Sequence, residues 1–293
     1  MKMMHTLRSA GAKRITVSAA FMALVLVLSI VVGRELPVGI DWHEAFRPAA
    51  RAVLDGQSPY TIEKYYAAPW GLVPLLPLAV LPEEAGRGVM VAVSLASLTI
   101  VAHRLGARPL TTGAFLLSPP VLHGLLNANI DWLAMLGFVV PPQIGLLLVT
   151  IKPQVGIGLV VYWLVQAWRQ GGVPQVIRVF WPLTLVSGVS FVLFGFWPLR
   201  FEQIIDYSKS FNASLWPTSI PIGAVLLVTA IRRRDARFAI ASSPCLSPHV
   251  VFHSYAGVLA CLLSMPIETI VAVIGLWILV IFRLAGSALS WTM

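Results

Sequence analysis

The chain has 293 residues, 58% of them hydrophobic and only 11% charged, with a mean hydropathy of +0.83. Soluble domains carry roughly a quarter charged residues, so these charges are too few to cover a water-facing surface and a soluble globular fold is excluded. The apolar runs are continuous and do not alternate with period two, which argues against a transmembrane barrel.

The predicted class is all-α: a polytopic transmembrane helical bundle of about 9–11 spans, forming a single integral-membrane domain over 1–293. The net charge of +9 sits mostly at the ends of apolar runs, at Lys2, Arg8, Lys13 and Arg14, and again at Arg232, Arg233, Arg234 and Arg237. That is the positive-inside pattern and places the N-terminus in the cytoplasm. No basic-aromatic domain lies outside the apolar runs, so no nucleic-acid partner is expected. Cys245 and Cys261 have neither metal-binding nor redox spacing, and no metal site or cofactor is predicted.

In chain order, Ile15–Val32 reads as an uncleaved first helix whose far end is extracytoplasmic. The stretch Gly39–Pro82 follows. In it Ala45, Phe46, Ala49, Ala50, Val53 and Leu54 recur at helical spacing and make one apolar stripe. Arg47 and Arg51, four apart, share another face, and Asp55-Gly56 and Ser58-Pro59 turn the chain before Tyr60. An amphipathic helix next to a span is suited to lie in the headgroup layer, within a first outer loop over 33–68.

Further helices are predicted at about Pro69–Leu81, Val89–Ala102 and Thr111–Leu126. From Asn127 to Trp168 the pattern is uneven. Ile130–Val140 is too short to cross about 30 Å of hydrocarbon, Pro141-Pro142 breaks it, and Lys152 stands between two apolar runs, where a charge reads as functional. Broken helices are tolerated at membrane depth only where they are buried or line a polar cavity. The remaining helices are placed at Val155–Trp168, Val179–Pro198, Ile220–Ile231, Phe238–Leu246, Val250–Leu263 and Ile267–Leu284. Arg169 and Arg232 then fall inside as the charge rule asks, whereas Arg104 and Arg108 fall outside against it.

With this topology Asp41–Tyr66, Leu199–Ser219 and Ser247–His253 converge on the outer face. A carboxylate, a histidine and cations at a membrane surface suit transfer from a lipid-linked phosphate donor. Asp41 would take the proton of an acceptor hydroxyl, and cations would steady the phosphate as it leaves. Each residue also has a plain structural reading. Asp41 caps a helix, Lys152 snorkels to an interface, and Arg47 and Arg51 anchor to headgroups. His253 satisfies itself in a core, with His123 and His249 structural. Asn127, Asn129 and Asp131 cap a helix end, and Trp42, Trp70, Trp216, Tyr65 and Tyr66 form an aromatic belt.

Asp41, Phe46, Ala49-Ala50, Gly56, Pro59-Tyr60, Pro69, Pro77-Leu78-Ala79 and Leu81-Pro82 together resemble the first outer loop of glycosyltransferase family 87. These are integral-membrane enzymes of the GT-C superfamily that include polyprenol-phosphate-mannose-dependent mannosyltransferases of actinobacterial glycolipid synthesis. Ile151-Lys152-Pro153, Asn212-Ala213-Ser214-Leu215 and Ser247-Pro248 with His253 resemble later elements of that family in the same order. The chain departs from it in length and in Asn127-Ala128-Asn129-Ile130, where members carry glycine-glutamine-x-asparagine.

The resemblance implies a GT-C-like bundle in a bacterial plasma membrane. It would transfer a hexose, mannose foremost, from a polyprenyl-phosphate sugar donor to a lipid or glycan acceptor among the membrane lipids. Asp41 and His253 would be catalytic, and Tyr60, Lys152, Asn212, Arg47 and Arg51 would bind substrate. Two rival readings are a transporter or flippase of lipid-linked saccharides and an inactive relative.

Overall fold

In a computed structural model the chain is a bundle of helices. Residues 30–31, 33–200 and 211–290 are described, with only the backbone for 284–290. The expected first helix Ile15–Val32 therefore lies almost entirely outside the described residues. Among those described there is no strand.

The amphipathic segment forms as expected. A single π-helical turn, Trp42–Phe46, leads into α1 (Arg47–Leu54), and Phe46, Ala49 and Ala50 point into the core. Gly39, at φ +70°, supplies the left-handed turn that admits this entry. Trp42 and Tyr65 do not sit in an interfacial belt: both are almost wholly buried, and the Trp42 indole donates to the Glu83 carbonyl (3.3 Å).

Pro69–Ala79 is no regular span. Its prolines impose a 3₁₀ stretch, Pro69–Leu75, followed by the one-turn α2 (Leu76–Ala79). At about 2.0 Å per residue and then 1.5 Å this covers about 20 Å, short of the bilayer.

α3 (Glu83–Arg104) is long and apolar enough to cross. The predicted Thr111–Leu126 helix is two pieces, α4 (Pro109–Leu116) and α5 (Pro119–Leu126), because Pro119 and Pro120 cannot donate backward across Leu117-Ser118. α6 (Asp131–Leu136) and α7 (Pro142–Val149) are short, as the uneven pattern predicted.

α8 (Pro153–Phe194) is broken by non-helical backbone at Gly171 and Gly172. Its halves, each about 27–33 Å long at 1.5 Å per residue, pack against one another through Val160, Trp163, Ala167, Val176, Val179 and Phe180. They correspond to the separate helices read at Val155–Trp168 and Val179–Pro198. α9 (Ile220–Arg233) and α10 (Ala236–Ser242) follow, and α12 (Pro266–Ser290) closes the chain.

The helix predicted over Val250–Leu263 is not formed. Only a 3₁₀ turn (Phe252–Tyr255) and α11 (Ala256–Ala260) are helical. The backbone before them is claimed by another segment. Val250 N–H donates to Asn212 Oδ1 (3.0 Å), the Asn212 amide donates to the Pro248 carbonyl (2.9 Å), and Ala213 N–H donates to the Val250 carbonyl (2.7 Å).

Among the described residues three helices have the length and apolar composition to span a membrane: Glu83–Arg104, the broken Pro153–Phe194, and Pro266–Arg283. The last two expose most of their apolar side chains, such as Val192, Leu193, Val271 and Phe282, as lipid-facing helices do. The chain is a helical membrane protein.

Close helix approach in a membrane favours small residues, and α8 meets α10 at Gly158. A methyl group there would overlap the Ser242 hydroxyl and the Ala239 carbonyl. Gly158→Ala is expected to destabilise the protein by about 1–3 kcal/mol, seen as a lowered thermal midpoint of the detergent-solubilised protein. An unchanged midpoint would contradict the packing described.

Candidate functional site

The breaks in the helices meet around one large cavity, about 1710 Å³ in volume. Its polar end is built from the residues after α5. Asn127 carries the last turn of that helix onward, and Ala128 adopts φ +50°, a left-handed backbone that costs a non-glycine residue about 1–2 kcal/mol. This turn aims Asn129 at the start of the π-helical turn. Asp41 N–H donates to the Asn127 carbonyl (3.1 Å), and the Asn129 amide donates to Asp41 Oδ2 (2.6 Å). Asp41 makes no side-chain cap to its own helix. Its carboxylate is instead half-buried, held across the loop and facing the cavity.

Asn129 continues the chain of contacts, since its Oδ1 accepts from Asp131 N–H (3.0 Å). Asp131 is buried. One carboxylate oxygen lies 3.3 Å from the Lys152 ammonium; the other accepts from the Ser254 hydroxyl (2.9 Å) and stands 3.8 Å from His253 Nε2. Asp131 therefore ties α6, the Lys152 turn before α8 and the 3₁₀ turn at 252–255 together, rather than capping its own helix. Lys152 also lies 5.8 Å from the centre of the Phe46 ring, on the π-helical turn that begins with Trp42.

His253 is 5% exposed and His249 is also buried. Both lie in the loop before α11, where burial holds their imidazoles below the ordinary range. His249 goes down to about 4, with the Lys152 ammonium adding to the effect, while Asp131 opposes burial at His253. Both rings are neutral near neutral pH. His123, on α5, is exposed to the cavity. Its Nδ1 lies 3.3 Å from His253 Nδ1, with the ring planes 22° apart and the centroids 5.5 Å apart.

Most of the rest of the wall is apolar, with Leu122 and Leu126 of α5, Leu259 and Leu262 near α11, and Leu276, Leu279 and Val280 of α12; Lys64, Gln154, Ser247 and Arg283 add polar groups to it.

Four of the seven side chains expected at the site share this cavity: Asp41, Lys152, Asn212 and His253. Asn212 does so with its amide committed to the Val250, Pro248 and Ser214 backbone, which makes it a clasp between loops. The other three point elsewhere. Arg47 reaches Glu83 and the Leu81 carbonyl, and Arg51 reaches the Ala79 carbonyl, so both pin α1 to the junction of α2 and α3. Tyr60 is buried. It donates to the Ala67 carbonyl (3.0 Å), its ring lies parallel to Trp197, and the Arg200 guanidinium stands 5.7 Å from its ring centre. That cluster borders a separate pocket of about 300 Å³.

Asn129, Asp131, Ser254 and His123 were not expected as site residues. In the sequence they carried only a helix-cap signal or none, because their roles arise from contacts across 88 to 130 positions. Among the described residues no group of three or more His, Cys, Asp or Glu could hold a metal ion.

Asn129→Asp would place a third carboxylate between Asp41 and Asp131. The added group's pKa is raised by like charges and burial, so its cost is present when it is ionised and fades as pH falls. Thermal unfolding should show Asn129→Asp less stable than Asn129→Ala at neutral pH, with the gap closing on acidification; a gap that widened would refute this wiring. In comparisons with known proteins, no protein family, no curated protein and no solved structure matches this chain.

Proposed function

We propose that this chain is a GT-C-like membrane glycosyltransferase of a bacterial plasma membrane, with its N-terminus in the cytoplasm. It moves a hexose, mannose foremost, from a polyprenyl-phosphate donor to a hydroxyl of a lipid or glycan acceptor on the extracytoplasmic face. One observation carries the reading. Asp41, the one carboxylate lining the cavity among the described residues, is tethered at its polar end, while most of the remaining wall is apolar and is partly supplied by a lipid-facing helix. An amphiphile with an anionic head and a hydrocarbon tail matches that division, with a few convergent polar groups setting its orientation.

In this reading Asp41 takes the proton of the acceptor hydroxyl as that oxygen attacks the sugar's C1. The bond from C1 to the phosphate oxygen breaks on the opposite face, and its electron pair stays on the phosphate, so the configuration at C1 inverts. Lys152, lining the same cavity, faces the charge that develops on the leaving phosphate. Asn129 holds Asp41 in place for proton transfer through the amide it donates to the carboxylate. The donor is activated by its own phosphate, so no cofactor takes part.

The breaks in the helices around the cavity also suit a transporter of lipid-linked saccharides, whose midplane path such helices line. One assay separates the two readings. In proteoliposomes supplied with donor and acceptor, Asp41→Asn and Asp41→Ala should lower transfer by at least about 10²-fold while membrane insertion and thermal unfolding stay near wild type. Normal turnover by either variant would remove this mechanism. A wild-type protein that carries donor across the bilayer and forms no sugar bond would assign the cavity to transport.

A further inference from the structure

The two imidazoles at the polar end are placed unequally. His253 is enclosed, with one ring nitrogen toward Asp131 and the other toward His123. His123 stands in front of it, exposed to the cavity. Their planes are nearly parallel, but a centroid separation of 5.5 Å with Nδ1 atoms 3.3 Å apart is an edge-to-edge arrangement, the geometry of an in-plane N–H···N bond. Two facing Nδ1 atoms need one proton between them. With the Asp131 carboxylate beside His253 Nε2, the tautomer that keeps a proton there leaves His253 Nδ1 as acceptor and His123 Nδ1–H as donor. His123 Nε2 is then an accepting lone pair at the cavity wall, with the Asn127 amide nitrogen 3.4 Å away as its protein neighbour. The ring nearest the substrate is thus His123, and His253 is the residue behind it.

We propose that His123 and His253 form a proton-linked phosphate clamp, in which His123 Nε2 takes a proton from solvent as a phosphate anion binds and then donates it in a hydrogen bond to a phosphate oxygen. This rests on the transferase reading and adds the contact that its leaving group makes. No substrate bond changes in the step: one solvent proton is gained on binding and released with the phosphate.

The charge gained at His123 is shared through its Nδ1–H with His253, whose far nitrogen faces Asp131. The charged and titratable groups around the pair are Asp41 and Asp131, which favour the proton, and Lys152 and His249, which oppose it. The balance is set for empty rings to be neutral, and an arriving anion tips it. His123 is the catalytic residue of this clamp, and His253 and Asp131 are positioning residues.

The test is calorimetric titration of the full-length protein in detergent with methyl farnesyl phosphate. This diester carries one negative charge and no proton of its own near neutral pH. Repeating the titration in buffers of different ionisation enthalpy counts the protons taken up.

Wild type is expected to take up close to one proton per probe bound, with affinity falling toward tenfold per pH unit as pH rises. His123→Gln and His123→Asn, two substitutions at an exposed position, should bind at least about fivefold more weakly, with uptake and pH slope both lost. His253→Gln should reduce uptake without abolishing binding. Binding with no proton uptake, or uptake that survives both His123 variants, overturns the clamp and leaves the transferase reading standing. A wild-type protein that does not bind the diester overturns both.

Discussion

A buried carboxylate next to a membrane has to be matched, and Asp131 is where this chain meets that demand. An unpaired charge at that depth costs several kcal/mol, and removing one partner of a buried pair typically costs about 3–5 kcal/mol. Lys152 and Ser254 match the carboxylate directly, and His253 stands beside it. Those residues come from three separate parts of the chain, so satisfying one charge fixes α6, the start of α8 and the turn before α11 relative to one another. Asn129 then extends the constraint to Asp41 through its two amide atoms. The cavity's polar end is held by this connected set more than by apolar packing.

The same economy explains why so many helices are short. A helix that stops inside hydrocarbon leaves carbonyls and N–H groups without water, and these have to find partners in the protein. Here the partners come from neighbouring loops. The Asn127 carbonyl accepts from Asp41 N–H, and the backbone of 248–250 is paired with Asn212 and Ala213. Each pairing draws a break toward the cavity, so the interruptions and the polar groups share one side of the molecule. The apolar outer faces of α12 and of the two halves of α8 are left to the outside.

Much of the architecture was legible in the sequence because it depends on local signals. The stripe Ala45–Leu54, the proline break near Pro141 and the interruption at Lys152 all follow from periodicity and backbone chemistry, whereas the break at Pro119 falls inside a stretch that reads as one helix by its apolar content. The helix read over Val250–Leu263 failed for the complementary reason. Its residues are apolar enough, but Asn212, some 38 positions earlier, takes the backbone bonds a helix would have used. The belt assigned to Trp42 and Tyr65 failed likewise, since nothing local distinguishes an interfacial ring from one enclosed by a distant helix. At the site, Asp41 and Lys152 stood out as charges beside apolar runs. His123 carried no such mark: an imidazole eight residues before Asp131 becomes notable only once the fold lays His253 against it. Arg47 and Arg51 were conspicuous by charge, yet their guanidinium groups are spent on closing the loop they sit in.

The charges already paired within the cavity bear on how an anion would be received there. Lys152 lies against Asp131 and Lys64 against Glu44 at 2.6 Å, so both lysines already have a carboxylate partner, and the charge Lys152 turns toward a leaving phosphate is one it shares with Asp131. A fixed, unmatched cation at that position would be costly whenever the cavity stood empty. An imidazole pair avoids the cost, because it is neutral when empty and charged only when a negative group is present to match it. Burial that keeps His253 neutral at rest and exposure that lets His123 reach the ligand are thus complementary requirements of one device. The geometry assigns each to a different ring, and that division explains why two histidines are needed where one would seem to suffice.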